Sequence, residues 1–330
     1  MLYPLPVRSA TASRLKKGLL TLACLSSVTL LSACGGGGGS DDTGSANNDA
    51  ATPEEKFITN FTLNVSDAPV DNASEVVVYF SEVELVGEGE PVVIDVTDPS
   101  GNPRMFDLLE LQGDKFANLV DDVEIPSGEY GQMRLVIDED SFIVMDDGTY
   151  PLEVPSNKLK LDGFEAQPET SQIFTVEFDL RKSLVNPQGK DAVFLKPRGV
   201  RLVSNDAVGT LSGSVPMSLI TDEACSVKAD ANKGNAVYLY EGNELDPALL
   251  GDDADAQTEE IRPLSVANVV YDETADTYDF TIGYVPAGNY TVAFSCLAYQ
   301  DEPETDENFE FQAVEETQVN VGETTEVTFN

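Results

Sequence analysis

The chain reads as all-β: two antiparallel β-sandwich domains, Ig-like or prealbumin-like, after a signal peptide and a disordered linker. Three observations predict this. Apolar residues alternate with period two in short runs, as in Phe61, Leu63, Val65 and again in Tyr278, Phe280, Ile282, Tyr284. Clusters of Gly, Pro and Asp separate those runs at close intervals. Only residues 106–111 suggest a helical turn. The segments divide as 1–33 signal peptide, 34–56 tether, 57–205 first sandwich and 206–330 second sandwich.

The first 33 residues carry Arg8, Arg14, Lys16 and Lys17 and no Asp or Glu, followed by an apolar run and then Leu31-Ser32-Ala33-Cys34. Basic region, apolar core and small residues before a cut make the order of a secretory signal. Ser and Thr interrupt the apolar run, and it is short for a membrane span, which needs about 20 apolar residues. Leu31-Ser32-Ala33-Cys34 resembles the lipobox of bacterial lipoproteins. The resemblance implies cleavage before Cys34, a lipid on its sulfur, and membrane attachment through that N-terminal lipid. Gly35, where inner-membrane retention would have Asp, implies the outer membrane. From Gly35 to Lys56 the chain is Gly, Ser, Asp, Asn, Ala, Thr, Pro and Glu with almost nothing to bury, a composition that stays flexible.

In the first sandwich, Phe61, Leu63 and Val65 mark a strand that Ser66-Asp67-Ala68-Pro69 is expected to end as a turn. Val76, Val78 and Phe80 lie on even positions and Val83 and Leu85 on odd ones, so a bulge is expected near Ser81-Glu82. Further strands are predicted at 92–96, 133–137, 142–145, 150–154, 173–180 and 193–203. Several stretches here resemble, in order, a bacterial family known only as domain of unknown function 4382. They are Leu63-Asn64-Val65-Ser66-Asp67-Ala68-Pro69-Val70, the strand from Val76 to Leu85, Phe106-Asp107-Leu108-Leu109-Glu110-Leu111, Ile125-Pro126-Ser127-Gly128-Glu129-Tyr130 leading to Met133-Arg134-Leu135, Phe178-Asp179-Leu180-Arg181-Lys182-Ser183-Leu184-Val185, and Leu195-Lys196-Pro197. The resemblance implies a β-sandwich on a secreted lipoprotein and carries no activity.

Residues 204–207 read as a short hinge. Beyond it, strands are predicted at 208–215, 236–240, 266–271, 278–284, 290–296, 309–314 and 324–329. Val285-Pro286-Ala287-Gly288-Asn289-Tyr290 repeats the form of residues 125–130. Pro presets φ early in such a turn and Gly suits its end. A turn of this form between strands resembles carboxypeptidase-regulatory or prealbumin-like sandwiches, which implies an accessory module.

The chain holds 19 Lys+Arg against 59 Asp+Glu. Removing the leader takes four basic residues, leaving 15 against 59, a net charge of −44. That surface repels phosphate backbones, so nucleic acid is excluded as a partner. There is no His, which removes His-based triads and most zinc sites, and no phosphate-binding glycine loop is present. No cofactor is called for, and the expected role is a non-enzymatic envelope module binding a glycan or an envelope protein. The alternative is an accessory or hydrolytic protein acting on extracellular polysaccharide.

Acidic runs at 138–140, 146–147, 252–255 and 301–307 read as solvated loops, since none carries the spaced oxygen ligands and turn glycine of a calcium loop. Whether any of them binds a metal is left open. Arg181, Lys182, Lys190, Lys196, Arg198 and Arg201 form the one basic stretch, read as edge protection and pairing with the surplus acid rather than as an anionic-glycan contact. Cys225 and Cys296 are the two cysteines left once Cys34 is acylated, and an exported chain pairs them. Cys296 is in phase with Tyr290, Val292 and Phe294, which puts its sulfur on their face.

Overall fold

The computed structural model describes residues 57–68, 73–186, 191–252, 260–302, 305 and 310–330. The leader, Cys34 and the tether lie outside the described residues. So do Pro69, Val70, Lys190, residues 253–255, Phe309 and most of the 301–307 run.

The described chain is nearly all strand. The first sandwich comprises β1 (Ile58–Ala68), β2 (Ala73–Gly87), β3 (Val92–Asp95), β4 (Arg104–Asp107), β5 (Ala117–Pro126), β6 (Gly128–Ile137), β7 (Phe142–Met145), β8 (Gly148–Glu153), β9 (Lys158–Ala166), β10 (Ser171–Asp179), β11 (Leu184–Val185), β12 (Val193–Leu195) and β13 (Val200–Ser204). One sheet has the order β13-β10-β1-β5. The other is built on β2. Val77 pairs with both Phe142 and Asp107, and Phe80 with both Ile137 and Arg104. Since a strand has two edges, β4 lies on one and β6 and β7 follow each other along the second. By the same reasoning β9 and β8 line the far side of β6 and β7. Two long strands, each interrupted once, therefore run side by side. The sheets face across a core that includes Phe61, Leu63 and Val65 from one and Val78, Phe80 and Leu85 from the other.

The second sandwich comprises β14 (Val208–Ser214), β15 (Ala236–Glu241), β16 (Ser265–Asn268), β17 (Val270–Asp272), β18 (Thr277–Pro286), β19 (Gly288–Ser295), β20 (Ala313–Val319) and β21 (Thr324–Thr328). Its sheets, β17-β18-β14-β21 and β16-β15-β19-β20, enclose Leu211, Val237, Leu239, Phe280, Val292 and Phe294. Cys225, on the 3-10 turn Glu223–Val227, is disulfide-bonded to Cys296 just past β19, with Cα atoms 5.8 Å apart. The bond staples an irregular crossing to a core strand.

Several expectations meet the structure closely. β2 shifts register between Phe80 and Glu82, which is the bulge its slipping hydrophobic phase requires. The helical turn is 3-10, Leu108–Leu111, with the Asp107 carboxylate accepting from the Leu109 N–H. The twin turns join β5 to β6 and β18 to β19, and each is closed by its tyrosine. Tyr130 Oη donates to the Pro126 carbonyl at 2.7 Å, and Tyr290 Oη to the Pro286 carbonyl at 2.6 Å.

Other expectations are corrected. Residues 66–68 do not turn; they complete β1, which runs to Ala68. The single strand expected at 193–203 is two strands in different sheets, because Pro197 and Gly199, at φ +76°, turn the chain between them. Likewise 266–271 splits into β16 and β17 in opposite sheets. The strand expected at 309–314 runs instead over Ala313–Val319. β4, β5, β9 and the two-residue β11 are additional. β5 is bulged, with Asp122 at φ +48°, which spoils its alternation. β9 shows clean alternation in Lys158-Leu159-Lys160-Leu161, a signal the sequence carries plainly. Pairing is mostly antiparallel, but β1 with β10, β8 with β12 and β14 with β21 are parallel.

Candidate functional site

The two interrupted strands open a groove where their breaks coincide. Between β6 and β7 the chain loops out at residues 138–141. There the Asp138 N–H still donates to the Tyr79 carbonyl, and Ser141 Oγ takes over as acceptor for the Tyr79 N–H. Between β8 and β9 it turns at Pro155–Asn157, with Ser156 at φ +69° and Asn157 at φ +53°. The gap between these loops is a groove of about 820 Å³. Its floor is Leu152, Val154 and Phe194, and its rim is Asp138, Glu139, Asp140 and Glu153. Glu139, Asp140 and Glu153 face water and Asp138 is half-buried. Asp138 Oδ1 accepts from the Asp140 N–H, holding the loop's shape.

The other acidic runs do not join this rim. Asp146 and Asp147 sit at the far end of β7, a four-residue strand about 13 Å long, too far to share a small ligand with residues 138–140. Asp252 is buried in the second sandwich, and Asp301 accepts from Tyr238 Oη at 2.7 Å. Among the described residues no group of three or more acidic, Cys or His side chains is placed to hold a metal.

The basic stretch is turned inward. Arg181 and Lys182 lie on the helical turn Leu180–Ser183 that follows β10. Arg181 donates from Nη1 to the Ala298 carbonyl at 3.0 Å and from Nη2 to Asn268 Oδ1 at 2.6 Å. Lys182 Nζ donates to the Pro263 carbonyl at 2.6 Å. All three acceptors belong to the second sandwich. Arg198 Nε donates to the Lys182 carbonyl, and Arg201 is ion-paired with Glu177. Arg181 and Lys182 join the two sandwiches, while Arg198 and Arg201 are engaged within the first.

The same junction is unusually close. Gly209 pairs with Val285 and Leu211 with Ile282, so Gly283 and Tyr284 together oppose Thr210 in a bulge. Tyr284 takes φ +53°, and its hydroxyl donates to the Asp114 carbonyl of the first sandwich at 3.3 Å. Burial, with Asp114 and Glu177 nearby, pushes its hydroxyl up to about 12. A Cβ on Gly283 would stand 2.3 Å from the Gly113 carbonyl oxygen, so only glycine allows this approach.

Near the end of β1, in phase with the core residues Leu63 and Val65 and opposite Phe178, lies Asp67, 1% exposed. Neither of its carboxylate oxygens has a hydrogen-bond partner of ordinary geometry among the described residues. Burial drives its carboxyl well above the usual carboxylate range. Asp179, Glu177 and Asp107 push the same way, and the Ala68 N–H opposes them. Glu177 is also raised by burial, with Arg201 opposing. Sequence reading passes over Asp67 as a turn residue. The signal available was its place in phase with Leu63 and Val65.

Residues 59–197 match the family model described as Domain of unknown function (DUF4382), which covers the first sandwich up to its last strand, β13, and none of the second. No curated protein matches the chain. Among solved structures, the chain is similar to the TIE protein of Bacillus anthracis at 14% identity and TM-score 0.19, covering 83% of this chain and 34% of that one. A leucine-rich repeat protein from Bacteroides thetaiotaomicron gives 12% identity and TM-score 0.19, covering 83% and 26%. The minor pilin GBS52 of Streptococcus agalactiae gives 13% identity and TM-score 0.17, covering 81% and 93%. The chain thus spans about a third and a quarter of the first two. Scores of this size imply no shared role.

Proposed function

We propose that the protein is a lipid-anchored envelope module that binds its ligand without chemistry, held to the outer membrane through Cys34. The groove between the two broken strands carries this reading. Its rim offers several carboxylates as hydrogen-bond acceptors over an apolar floor with one aromatic ring, a combination suited to a hydroxyl-rich glycan chain. An anionic glycan is disfavoured, because the rim is acidic, Arg181 and Lys182 are engaged across the junction and Arg201 is paired with Glu177. The hydrolytic alternative requires two carboxyls facing across a cleft, one of them kept protonated by burial. The rim carboxylates stand at or near the surface instead. The second sandwich then serves as an accessory module fixed rigidly to the first, and among the described residues no helix is long and apolar enough to cross a membrane.

A neutral-glycan array probed with the purified chain, alongside Asp138→Asn/Asp140→Asn and Phe194→Ala variants, tests the reading. Binding lost in both variants supports it; binding unchanged in both removes the groove from the function. Release of reducing ends from a bound polymer would favour the hydrolase. Attachment is tested separately by mass spectrometry of the membrane fraction, where an acylated N-terminal Cys34 is expected and an unmodified chain would refute the anchor.

A further inference from the structure

The groove between the broken strands has a deep end as well as a rim. Ile137, Leu152 and Val154 line it while only 3%, 2% and 7% exposed, so it reaches down to the first core. Those side chains are aliphatic and offer no hydrogen bond. A plain hexose carries hydroxyls around its whole edge, and one pushed into such a place loses its partners. An alkyl group suits it instead.

One wall of the groove is the turn Val154-Pro155-Ser156-Asn157, closed by the Asn157 N–H donating to the Val154 carbonyl at 2.9 Å. Proline in second place and positive φ in third give it type II form, which favours glycine in the third place. Here that residue is Ser156, at φ +69°, and Asn157 follows at φ +53°. Glycine would hold both conformations at the least cost. The chain keeps two polar side chains there instead, both exposed and both lining the groove. Neither side chain is hydrogen-bonded to another described residue. Backbone strain of this kind persists where it places groups for a ligand. Asp138, Glu139, Asp140 and Glu153 can only accept hydrogen bonds while ionised. Of the side chains that line the groove, the Asn157 amide is the one nitrogen donor.

We propose that the glycan of this groove is a chain of N-acetylated amino sugars and that Asn157 sets the preference. The inference rests on the glycan reading of the groove. An acetamido group has an N–H donor, a carbonyl acceptor and a methyl. The groove has a counterpart for each: rim carboxylates for the N–H, Asn157 Nδ2 for the carbonyl and the aliphatic deep end for the methyl. A volume of about 820 Å³ leaves space for neighbouring rings of the same chain.

Titration calorimetry of the purified chain with three β-1,4-linked trisaccharides that differ only at the 2-position tests it: those of N-acetylglucosamine, glucose and glucosamine. The first should bind at least about tenfold tighter than the others, the worth of one hydrogen bond and a buried methyl. Asn157→Gly takes the same φ without a side chain, and Asn157→Asp exchanges the donor for an acceptor. Each should weaken binding of the N-acetylglucosamine trimer about 3–10-fold, while the glucose trimer and the melting temperature are unaffected. Equal binding of the glucose and N-acetylglucosamine trimers overturns the preference and leaves the glycan reading standing. Tighter binding of the glucosamine trimer also overturns it, because the charge of the rim is then what selects. A preference that survives both variants overturns the role of Asn157. If none of the three binds, a neutral glycan found on the array and lost with Phe194→Ala overturns the preference alone, and an empty array overturns the glycan reading with it.

Discussion

Asp67 is where single-residue chemistry departs furthest from what local sequence says. The stretch Ser66-Asp67-Ala68-Pro69 has turn composition, yet its first three residues are buried strand. Its neighbours are Phe178 of β10 and Gln112, 111 and 45 residues away, and no local pattern announces them. The energetic consequence has a definite sign. A carboxyl whose folded value lies above its unfolded one contributes its full stability below the unfolded value, near 3.8, and loses it as pH rises towards the folded value. Asp67→Asn should therefore stabilise the protein at neutral pH, by about 1–3 kcal/mol. The gain should shrink towards zero as pH falls below 4. Urea midpoints of the two proteins from pH 3.5 to 8 check this, and a gap that widens at low pH would show the sign to be wrong.

Elements were legible where alternation was intact, β9 excepted, and opaque where it was broken. β18 announces itself by the alternating burial of Tyr278, Phe280 and Ile282, and the β2 bulge by its slipping phase, while β19 is buried without a break from Tyr290 to Ser295. β5 was hidden by its bulge. The split at 266–271 was hidden because apolar residues continue on both sides of it, whereas Pro197 and Gly199 do mark the break at 193–203. The twin turns show how far a local motif can be read. In both, proline's carbonyl accepts from a tyrosine four residues on, closing the turn against the strand that follows. Tyr130→Phe and Tyr290→Phe should each lower stability by about 0.5–1.5 kcal/mol, the net worth of one such bond. Chemical denaturation measures it, and a loss in only one of them would show that the two turns are not equivalent.

The disulfide acts at the same scale. It anchors the 3-10 turn Glu223–Val227 to the end of β19 across 71 residues. Closing such a loop restricts the unfolded chain by about 4 kcal/mol in the chain-entropy model. Reduction with a membrane-free thiol reagent should lower the denaturation midpoint accordingly. An unchanged midpoint would place the stability of the second sandwich in its core alone.

At the scale of the whole molecule, sequence reading foresaw two sandwiches and a hinge between them. What stands at 204–207 is the single 3-10 turn Asn205–Ala207, and residues Glu54–Asn330 cluster as one unit. The difference comes from residues that look unremarkable in sequence: a basic pair after β10, and two glycines, Gly113 and Gly283, that meet backbone to backbone. The two main cores stay separate, the first packing residues up to Leu202 and the second none before Leu211, with only the small cluster of Val203, Val208 and Tyr284 between them. Only the junction can make them unfold together. Calorimetry of the wild type should therefore show one transition. Arg181→Ala leaves the Ala298 carbonyl and Asn268 Oδ1 without their charged donor, a loss of about 2–4 kcal/mol at the junction and little in either core. The trace should then separate into two transitions, with the disulfide-dependent one identified by its shift on reduction. If Arg181→Ala lowers a single transition without splitting it, the coupling resides instead in the glycine contact, and Gly283→Ala, which forces the backbones apart, becomes the variant that must split it.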